Sequence, residues 1–382
     1  MQKKLIALAV AAAFSAPAFA DVSVYGVVDA ALVHVSADGQ KSDIQAVSGG
    51  LASSRIGVTG AEDLNNGMKA VVKLEYALDT ETSAGIGAAR QQMLAIAGDF
   101  GTFATGYLQT TGYDFGVRFD PMAGSAVSPL SVTSAGFIIG DNAVAKRAQR
   151  ALAYISPDMA GVTVAVNYTT AFPSGLGNLG VADACTGAAP TVTAGNTTTP
   201  ACTAGSLKTT AYLLSATYTG VQNLAVGGVY AATKDDNAGA DNAKEYALGA
   251  SYDLSVVKLF ATYQSLKVDN SNASLKTASA SVVAPVGPGA VAFSYSKNSK
   301  DAGDAKGMTV AWLQGLSKTT TFYAALEKVS QGDNSASYSV LNNALGGITS
   351  AQAAAMTPTG VRGSLNAGGS STLLAVGLNK KF

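Results

Sequence analysis

Segments of about ten residues, in which apolar side chains alternate with small or polar ones, recur along almost the whole chain. The last segment, "LLAVGLNKKF", alternates up to the final residue, Phe382. Alternation with a period of two is typical of a strand that has an apolar environment on one side and water on the other. Soluble sandwiches also alternate, so the lengths of the connections must distinguish the two classes.

The connections alternate between short turns and long loops. Short turns such as "NNG", "GDFG" and "PDMAG" alternate with long connections over 110–148, 172–206 and 331–369. Sixteen segments can be counted, an even number that brings both termini to the same end, as in outer-membrane barrels. We therefore predict an all-β fold, a 16-stranded antiparallel transmembrane β-barrel with short periplasmic turns and long extracellular loops. Its last strand pairs with its first and places Phe382 at the membrane interface.

The first twenty residues have the features of a secretory signal peptide. Lys3 and Lys4 precede a short apolar run, and "AFA" ends the stretch with small residues two apart. The apolar run is too short for a helix that spans a membrane. We expect residues 1–20 to be removed and residues 21–382 to form the barrel.

Composition and cysteine usage restrict the function. Charged residues make up 13% of the chain and the formal net charge is zero, which gives no electrostatic reason to expect a nucleic-acid partner. Cys185 and Cys202 lie in one Gly/Thr/Pro-rich stretch, and a single pair in an exported chain predicts a disulfide. The sequence contains one histidine, no Gly-x-Ser-x-Gly elbow and no phosphate-binding loop. We predict no catalytic residue, metal or cofactor.

Several motifs resemble those of the general trimeric porins of Gram-negative outer membranes, of the betaproteobacterial and neisserial type. They are "DVSVYGVVDA", "SSRIGVTGAEDLNNGMKAVVKLEY", "GDFGTFATGY", "AYISPDMAGVTVAVNY", "GLSKTTTFYAALEKV" and the terminal "LNKKF". The resemblance implies a homotrimer in contact with outer-membrane lipid and lipopolysaccharide, and passive diffusion of ions and small hydrophilic solutes. It also implies that a third loop folds into the lumen and that Phe382 serves as a C-terminal assembly signal.

Charged residues on the second, third and fourth strands are candidates for the narrowest part of such a pore. Basic side chains on one wall would face acidic ones on the loop over 110–148, which creates a transverse field that orients solutes and sets ion preference. Alternatively, these charges only solvate the lumen wall, and Arg118, Lys146, Arg147 and Arg150 anchor the loop. Tyr107 stands where the family has Arg, which weakens a simple expectation of anion preference. The predicted constriction comprises Arg55, Lys73, Arg90, Tyr107, Asp114 and Asp120.

Two other functions remain open from the sequence. A barrel enzyme such as a lipase would need His34 as its base. His34 shares the lipid-side parity of Leu32, which favours a position at the membrane or subunit interface. A closed structural or adhesive barrel would result if the 110–148 loop plugged the lumen, but the Gly/Ala/Ser-rich composition of that loop favours an open pore.

Overall fold

The computed structural model describes most of the chain beyond residue 20. The described residues are 21–382 without 40–41, 65, 83–84, 135–138, 140–145, 172–191, 194–195, 198–208, 236–241, 270–273, 300–302, 333–337, 340–363 and 366–367. The expected signal peptide, Cys185 and Cys202 lie outside this part, so the cleavage and the disulfide stay predictions. Within the described part no group of side chains could hold a metal ion, and no helix is long and apolar enough to cross a membrane.

Seventeen strands form one antiparallel sheet that closes on itself. They are β1 (Asp21–Ala37), β2 (Asp43–Ser48), β3 (Arg55–Leu64), β4 (Met68–Leu78), β5 (Ile86–Gly98), β6 (Gly101–Gln109), β7 (Arg147–Ile155), β8 (Val162–Ala171), β11 (Thr209–Tyr218), β12 (Leu224–Asp235), β13 (Ala243–Asp253), β14 (Lys258–Val268), β15 (Ser274–Val286), β16 (Gly289–Asn298), β17 (Lys306–Gly315), β18 (Thr320–Ser330) and β21 (Ser370–Lys381).

The remaining elements lie in the connections. Two-residue strands form two separate pairs: β9 (Val192–Thr193) with β10 (Asn196–Thr197), and β19 (Tyr338–Ser339) with β20 (Ser364–Leu365). Two helices, α1 (Thr111–Phe119) and α2 (Pro129–Thr133), lie between β6 and β7. Both have local sequence signals, because Thr110 caps the first through a hydrogen bond from Tyr113 N and Pro129 begins the second.

The seventeen strands occupy sixteen positions around the barrel. The long strand β1 pairs with β3 through Asp21 to Val27 and with β2 through Ala30 to Val35. β2 and β3 are therefore two halves of one strand that is interrupted at 49–54. The predicted closed, 16-stranded antiparallel barrel is confirmed.

The last residues complete the barrel wall. β21 pairs with β1 from Lys381 opposite Val27 to Ser371 opposite Ala37. Phe382 continues this ladder, since its backbone N–H donates to Gly26 O at 3.2 Å and its carbonyl accepts from Gly26 N at 3.1 Å. The alternation that runs to the end of the sequence is thus a strand that pairs up to its final residue.

Side chains alternate between a lipid-facing and a lumen-facing surface. On β1, Leu32 is 61% exposed, whereas its neighbour Val33 is 1% exposed. Aromatic side chains mark both rims of the outer surface. Phe103 and Tyr154 pack near the short turns with ring centroids 4.6 Å apart. Exposed tyrosines near the long connections are Tyr168, Tyr212, Tyr230, Tyr246, Tyr263 and Tyr295. Two such girdles are typical of outer-membrane barrels.

A buried carboxylate joins the closing strands from inside. Asp29 of β1 is fully buried and accepts hydrogen bonds from the backbone N–H of Gly50 (2.8 Å) and Ala52 (3.0 Å) in the strand interruption. It also accepts from Tyr323 Oη of β18 (2.6 Å) and Asn379 Nδ2 of β21 (2.7 Å). One side chain thus connects β1, β18, β21 and the break between β2 and β3.

We expect Asp29→Ala to destabilise the refolded barrel by about 3 kcal/mol, because several buried donors lose their acceptor together. Urea unfolding in lipid vesicles measures the change. Asp63→Ala is the matched control, since Asp63 is 44% exposed and pairs with Lys69 at the surface, where the loss should stay below about 1 kcal/mol. Equal unfolding midpoints for Asp29→Ala and the native protein would contradict this role for Asp29.

Candidate functional site: a basic wall opposite an inward-folded loop

The connection between β6 and β7 packs against the inside of the barrel. Phe115 and Phe119 of α1 are buried against β12 and β13, where Gly227 and Gly249 lie directly opposite each other. A Cβ atom on Gly249 would lie 2.5 Å from Phe119 Cδ2, and one on Gly227 would lie 2.9 Å from Phe119 Cε2. The two glycines therefore form a recess that admits the aromatic face of the helix.

Hydrogen bonds fasten the second half of the loop to a different part of the wall. Thr133 of α2 donates through Oγ1 to Ser296 Oγ at 2.7 Å, and its carbonyl accepts from Asn298 Nδ2 at 2.9 Å. Thr309 Oγ1 of β17 donates to Val127 O at 2.7 Å. The loop is thus held against β12 and β13 at one end and against β16 and β17 at the other.

A cluster of charges lies on the wall formed by β3, β4 and β5. Glu75 is its centre, and its carboxylate accepts from Arg90 Nε at 2.8 Å and from Tyr25 Oη at 2.8 Å. Arg55 Nε lies 3.8 Å from the same carboxylate. Lys73, two residues earlier on the same inner face, holds its Nζ 5.7 Å from the centre of the Tyr25 ring. The structure thus brings Arg55, Lys73 and Arg90 together on one wall, and their role in a constriction stays a prediction.

Glu75 was missing from the predicted constriction. Its parity was visible in the sequence, because it shares the inner face of β4 with Lys73. Its partnership with Arg90 was not visible, because that contact depends on the pairing between two strands.

A β-bulge directs Arg90 into the lumen. Gln91 pairs with Glu75 and Ala89 pairs with Tyr76, so Arg90 is an extra residue of β5 without a partner position on β4. Leu94 of β5 faces outward and is 57% exposed, so strict alternation would direct Arg90 outward as well. A bulge re-aims a side chain in this way and is common next to functional sites.

Arg147 extends the basic cluster. From the sequence it was a candidate only for anchoring the loop to the wall. It is 8% exposed, and its guanidinium carbon lies 5.4 Å from the centre of the Tyr113 ring of α1. It interacts electrostatically with Arg90 and Tyr107. Among the described groups, none accepts a hydrogen bond from its Nε or Nη2. Arg147 therefore brings a positive charge, and two donors without an acceptor among the described groups, to the place where the loop meets the wall.

The two predicted acidic residues of the loop differ in their surroundings. Asp114 lies half-buried in the first turn of α1, accepts a hydrogen bond from Gln109 Nε2, and interacts electrostatically with Lys73. Burial raises the pKa of the Asp114 carboxyl, although the Gln109 hydrogen bond and the charge of Lys73 act in the opposite direction. Asp120 is turned into the loop itself, where its carboxylate accepts from Met122 N at 2.9 Å and from Ser128 Oγ at 2.7 Å. This geometry favours a structural role for Asp120, and its role in the pore stays a prediction.

Comparison with known proteins gives a consistent result. A family profile described as Gram-negative porin matches residues 7–335. The outer membrane porin protein 32 of Delftia acidovorans is 28% identical over 88% of this chain and 91% of its own length. The major outer membrane protein P.IB of Neisseria gonorrhoeae is 32% identical over 46% of this chain and 50% of its own. The structure of an anion-selective porin from Comamonas acidovorans superposes with a TM-score of 0.70 at 23% identity, over 95% of this chain and 100% of that one.

We expect Gly249→Leu to push α1 away from the wall and towards the middle of the lumen, because the new side chain occupies the space of the Phe119 ring. The ionic current through a single barrel in a planar bilayer should then fall. Gly228→Leu is the matched control, since Gly228 lies next to Gly227 but a Cβ atom on it would lie 3.2 Å from the outward-facing Leu248. Equal currents in Gly249→Leu and the native protein would show that the glycine recess does not position the loop.

The raised pKa of Asp114 predicts a pH-dependent ion preference. As the pH falls through this raised value, Asp114 loses its negative charge while the arginines keep theirs. The reversal potential in a salt gradient should therefore shift towards anions, and it should do so at a higher pH than an ordinary aspartate would give. Asp114→Asn should show the reversal potential that is shifted towards anions at every pH. A pH response of the same size in Asp114→Asn would assign the titration to another group.

Proposed function

The chain belongs to the Gram-negative porin family, and on that premise we propose that its basic cluster and its inward-folded loop together form the charged constriction of the pore. The protein is an outer-membrane channel for the passive diffusion of solutes. The observation that supports the proposed constriction is the convergence of Arg55, Lys73, Arg90 and Arg147 around one carboxylate, Glu75, where the loop approaches the wall.

This constriction favours anions. The Glu75 carboxylate already accepts hydrogen bonds from Arg90 and from the hydroxyl of Tyr25. It therefore neutralises only part of the positive charge around it. Among the described acidic residues of the loop, Asp114 is the one that lies near this cluster, and burial disfavours its charged form. A narrow aqueous passage with an excess of fixed positive charge attracts anions and repels cations. The related Comamonas structure is described as anion-selective, which agrees with this preference.

Three barrels associate through the outer face of β18, β21, β1 and β3. This face presents exposed aliphatic side chains, and the exposed tyrosines near the long connections lie elsewhere, on β8 to β16. A sector whose described residues include no exposed tyrosine at the interface suits contact with protein better than contact with the lipid headgroups. The exposed aliphatic side chains of this face are Val22, Val24, Leu32, Val58, Leu326, Leu374, Val376 and Leu378.

The channel carries out no catalytic reaction. The relatives of the chain are channel proteins. His34, the base that a lipase would require, lies on β1 between the buried, lumen-facing Val33 and Val35. Its side chain therefore points outward, opposite Leu374 of β21. An outward imidazole at the face proposed for association fits a subunit interface.

Single-channel current in a planar bilayer under a salt gradient tests the pore and its selectivity together. We expect openings in steps of three and a reversal potential of the sign for anions. Arg147→Gln should lower the anion-to-cation permeability ratio by roughly twofold or more, because it removes a positive charge from the constriction. The barrel should still fold, because among the described groups no acceptor loses a hydrogen bond to Arg147 Nε or Nη2.

Arg150→Gln provides the control for this measurement, since Arg150 is an exposed arginine on the same strand. It should leave the permeability ratio unchanged. A cation preference in the native protein would reject the proposed role of the basic cluster. Openings in single steps would reject the trimer and leave the constriction intact.

A further inference from the structure

Glu327 of β18 is a buried carboxyl on the inner face of the barrel. It lies between the inward-facing Ala325 and Val329, and only 1% of its surface is exposed. Within the described part of the chain it forms no ion pair, and its Oε1 atom accepts no hydrogen bond. A buried polar group without a partner is rare in folded proteins and points to a special role.

Apolar groups surround this carboxyl. Glu327 lies next to Leu373 of β21 in the strand register, and Leu373 belongs to one apolar cluster with Val329. The same cluster includes Met122 and Val127 of the loop between β6 and β7. The loop therefore covers Glu327 and separates it from the water of the lumen.

The covering segment is attached to the wall directly beside Glu327. Thr309 of β17 lies opposite Glu327 in the register, and its Oγ1 donates to Val127 O at 2.7 Å. The next element of the loop, α2, packs against β16, β17 and β18. Glu327 thus lies under the part of the loop that is held against this wall.

Glu245 of β13 provides a comparison within the same molecule. It is also fully buried where the loop meets the wall, but its Oε1 accepts hydrogen bonds from Ile139 N at 3.3 Å and from Gln264 Nε2. The loop and the wall supply donors that stabilise a carboxylate at this position. No described group supplies a donor to Glu327, so a carboxylate is unfavourable there.

No described cation faces Glu327 from the elements that pack against it. Lys328, the next residue of β18, faces outward. α2 and the inner faces of β17 and β21 beside Glu327 carry no titratable side chain. The remaining titratable groups on these sides are Asp120 in the loop, and Asp29 and Tyr323 where the barrel closes. None of the three carries a positive charge, so the covered position tolerates Glu327 only with its proton.

We propose that Glu327 is a pH-sensitive latch for the inward-folded loop. With its proton, the carboxyl stays under the loop and the pore is open. When water takes up this proton, the carboxylate that remains must be hydrated, which requires the segment from Met122 through α2 to leave the wall. The released segment enters the lumen and obstructs the passage of ions, so the channel closes as the pH rises.

The pH dependence of channel closure in a planar bilayer tests the latch. Release of the loop is accompanied by release of one proton, so the ratio of closed to open time should rise about tenfold for each pH unit in the alkaline direction. Glu327→Gln keeps the size of the side chain and has no proton to lose, so its ratio should not change with pH. Glu62→Gln is the matched control, since Glu62 is an exposed carboxyl of β3, and it should respond like the native channel.

A covalent lock separates movement of the loop from other effects of high pH. A Cβ atom on Gly307 of β17 would lie 2.8 Å from Pro129 Cβ of α2, so a shift of about 1 Å gives the separation that a disulfide requires. P129C/G307C should lose the alkaline closure when oxidised and regain it when reduced. The native protein under the same reducing conditions is the control for the predicted pair Cys185 and Cys202.

Three results would overturn the latch. They are a ratio of closed to open time that does not change with pH in the native channel, an equal alkaline response in Glu327→Gln, and alkaline closure that persists in oxidised P129C/G307C. The latch requires the channel and the inward position of the loop, and it does not depend on the ion preference of the constriction. The reversal potential from the same recordings reports that preference separately, so failure of one proposal is distinguishable from failure of the other.

Discussion

Complete pairing of the backbone is the constraint on which the rest of this structure depends. In hydrocarbon an unpaired N–H or C=O costs several kcal/mol, so a membrane-spanning sheet must close. The barrel satisfies this requirement with a ladder between β1 and β21 that extends to Phe382. The interruption between β2 and β3 is the weak point, since it leaves amides that face the lumen. Asp29 accepts hydrogen bonds from those amides and adds side-chain contacts to β18 and β21.

The same interruption connects closure to the position of the loop. Ala126 N of the loop donates to Gly50 O at 2.8 Å, and Gly50 N donates to Asp29. β3 then resumes at Arg55, whose side chain enters the basic cluster. The junction of the closing strands β1 and β21, the loop and the charged wall therefore share one hydrogen-bonded network. A change at this junction is expected to reach the constriction.

Period-two alternation and the lengths of the connections were sufficient to predict the fold. The alternation follows directly from the contrast between lipid and lumen, and the connection lengths distinguish the two ends of the barrel. The site was only partly predictable. Arg55 and Lys73 lie on the inner face by simple parity, but Arg90 reaches the lumen through a bulge that alternation does not reveal. The orientation of Asp120 depends on Ser128, a contact within the loop that no pattern in the sequence specifies. The helices α1 and α2 were missed although Thr110 and Pro129 provide local signals for both.

Two groups of positive charge in the described chain lack sufficient compensation from the protein itself. Arg147 keeps unpartnered donors beside the lumen, and Lys244 faces Lys267 at the outer rim. Each arrangement is unfavourable in the isolated barrel, because like charges repel and buried donors lose their hydration. Such costs are retained where a function depends on them. Under the proposed function, a diffusing anion supplies the missing charge beside Arg147 transiently, as it passes through the lumen.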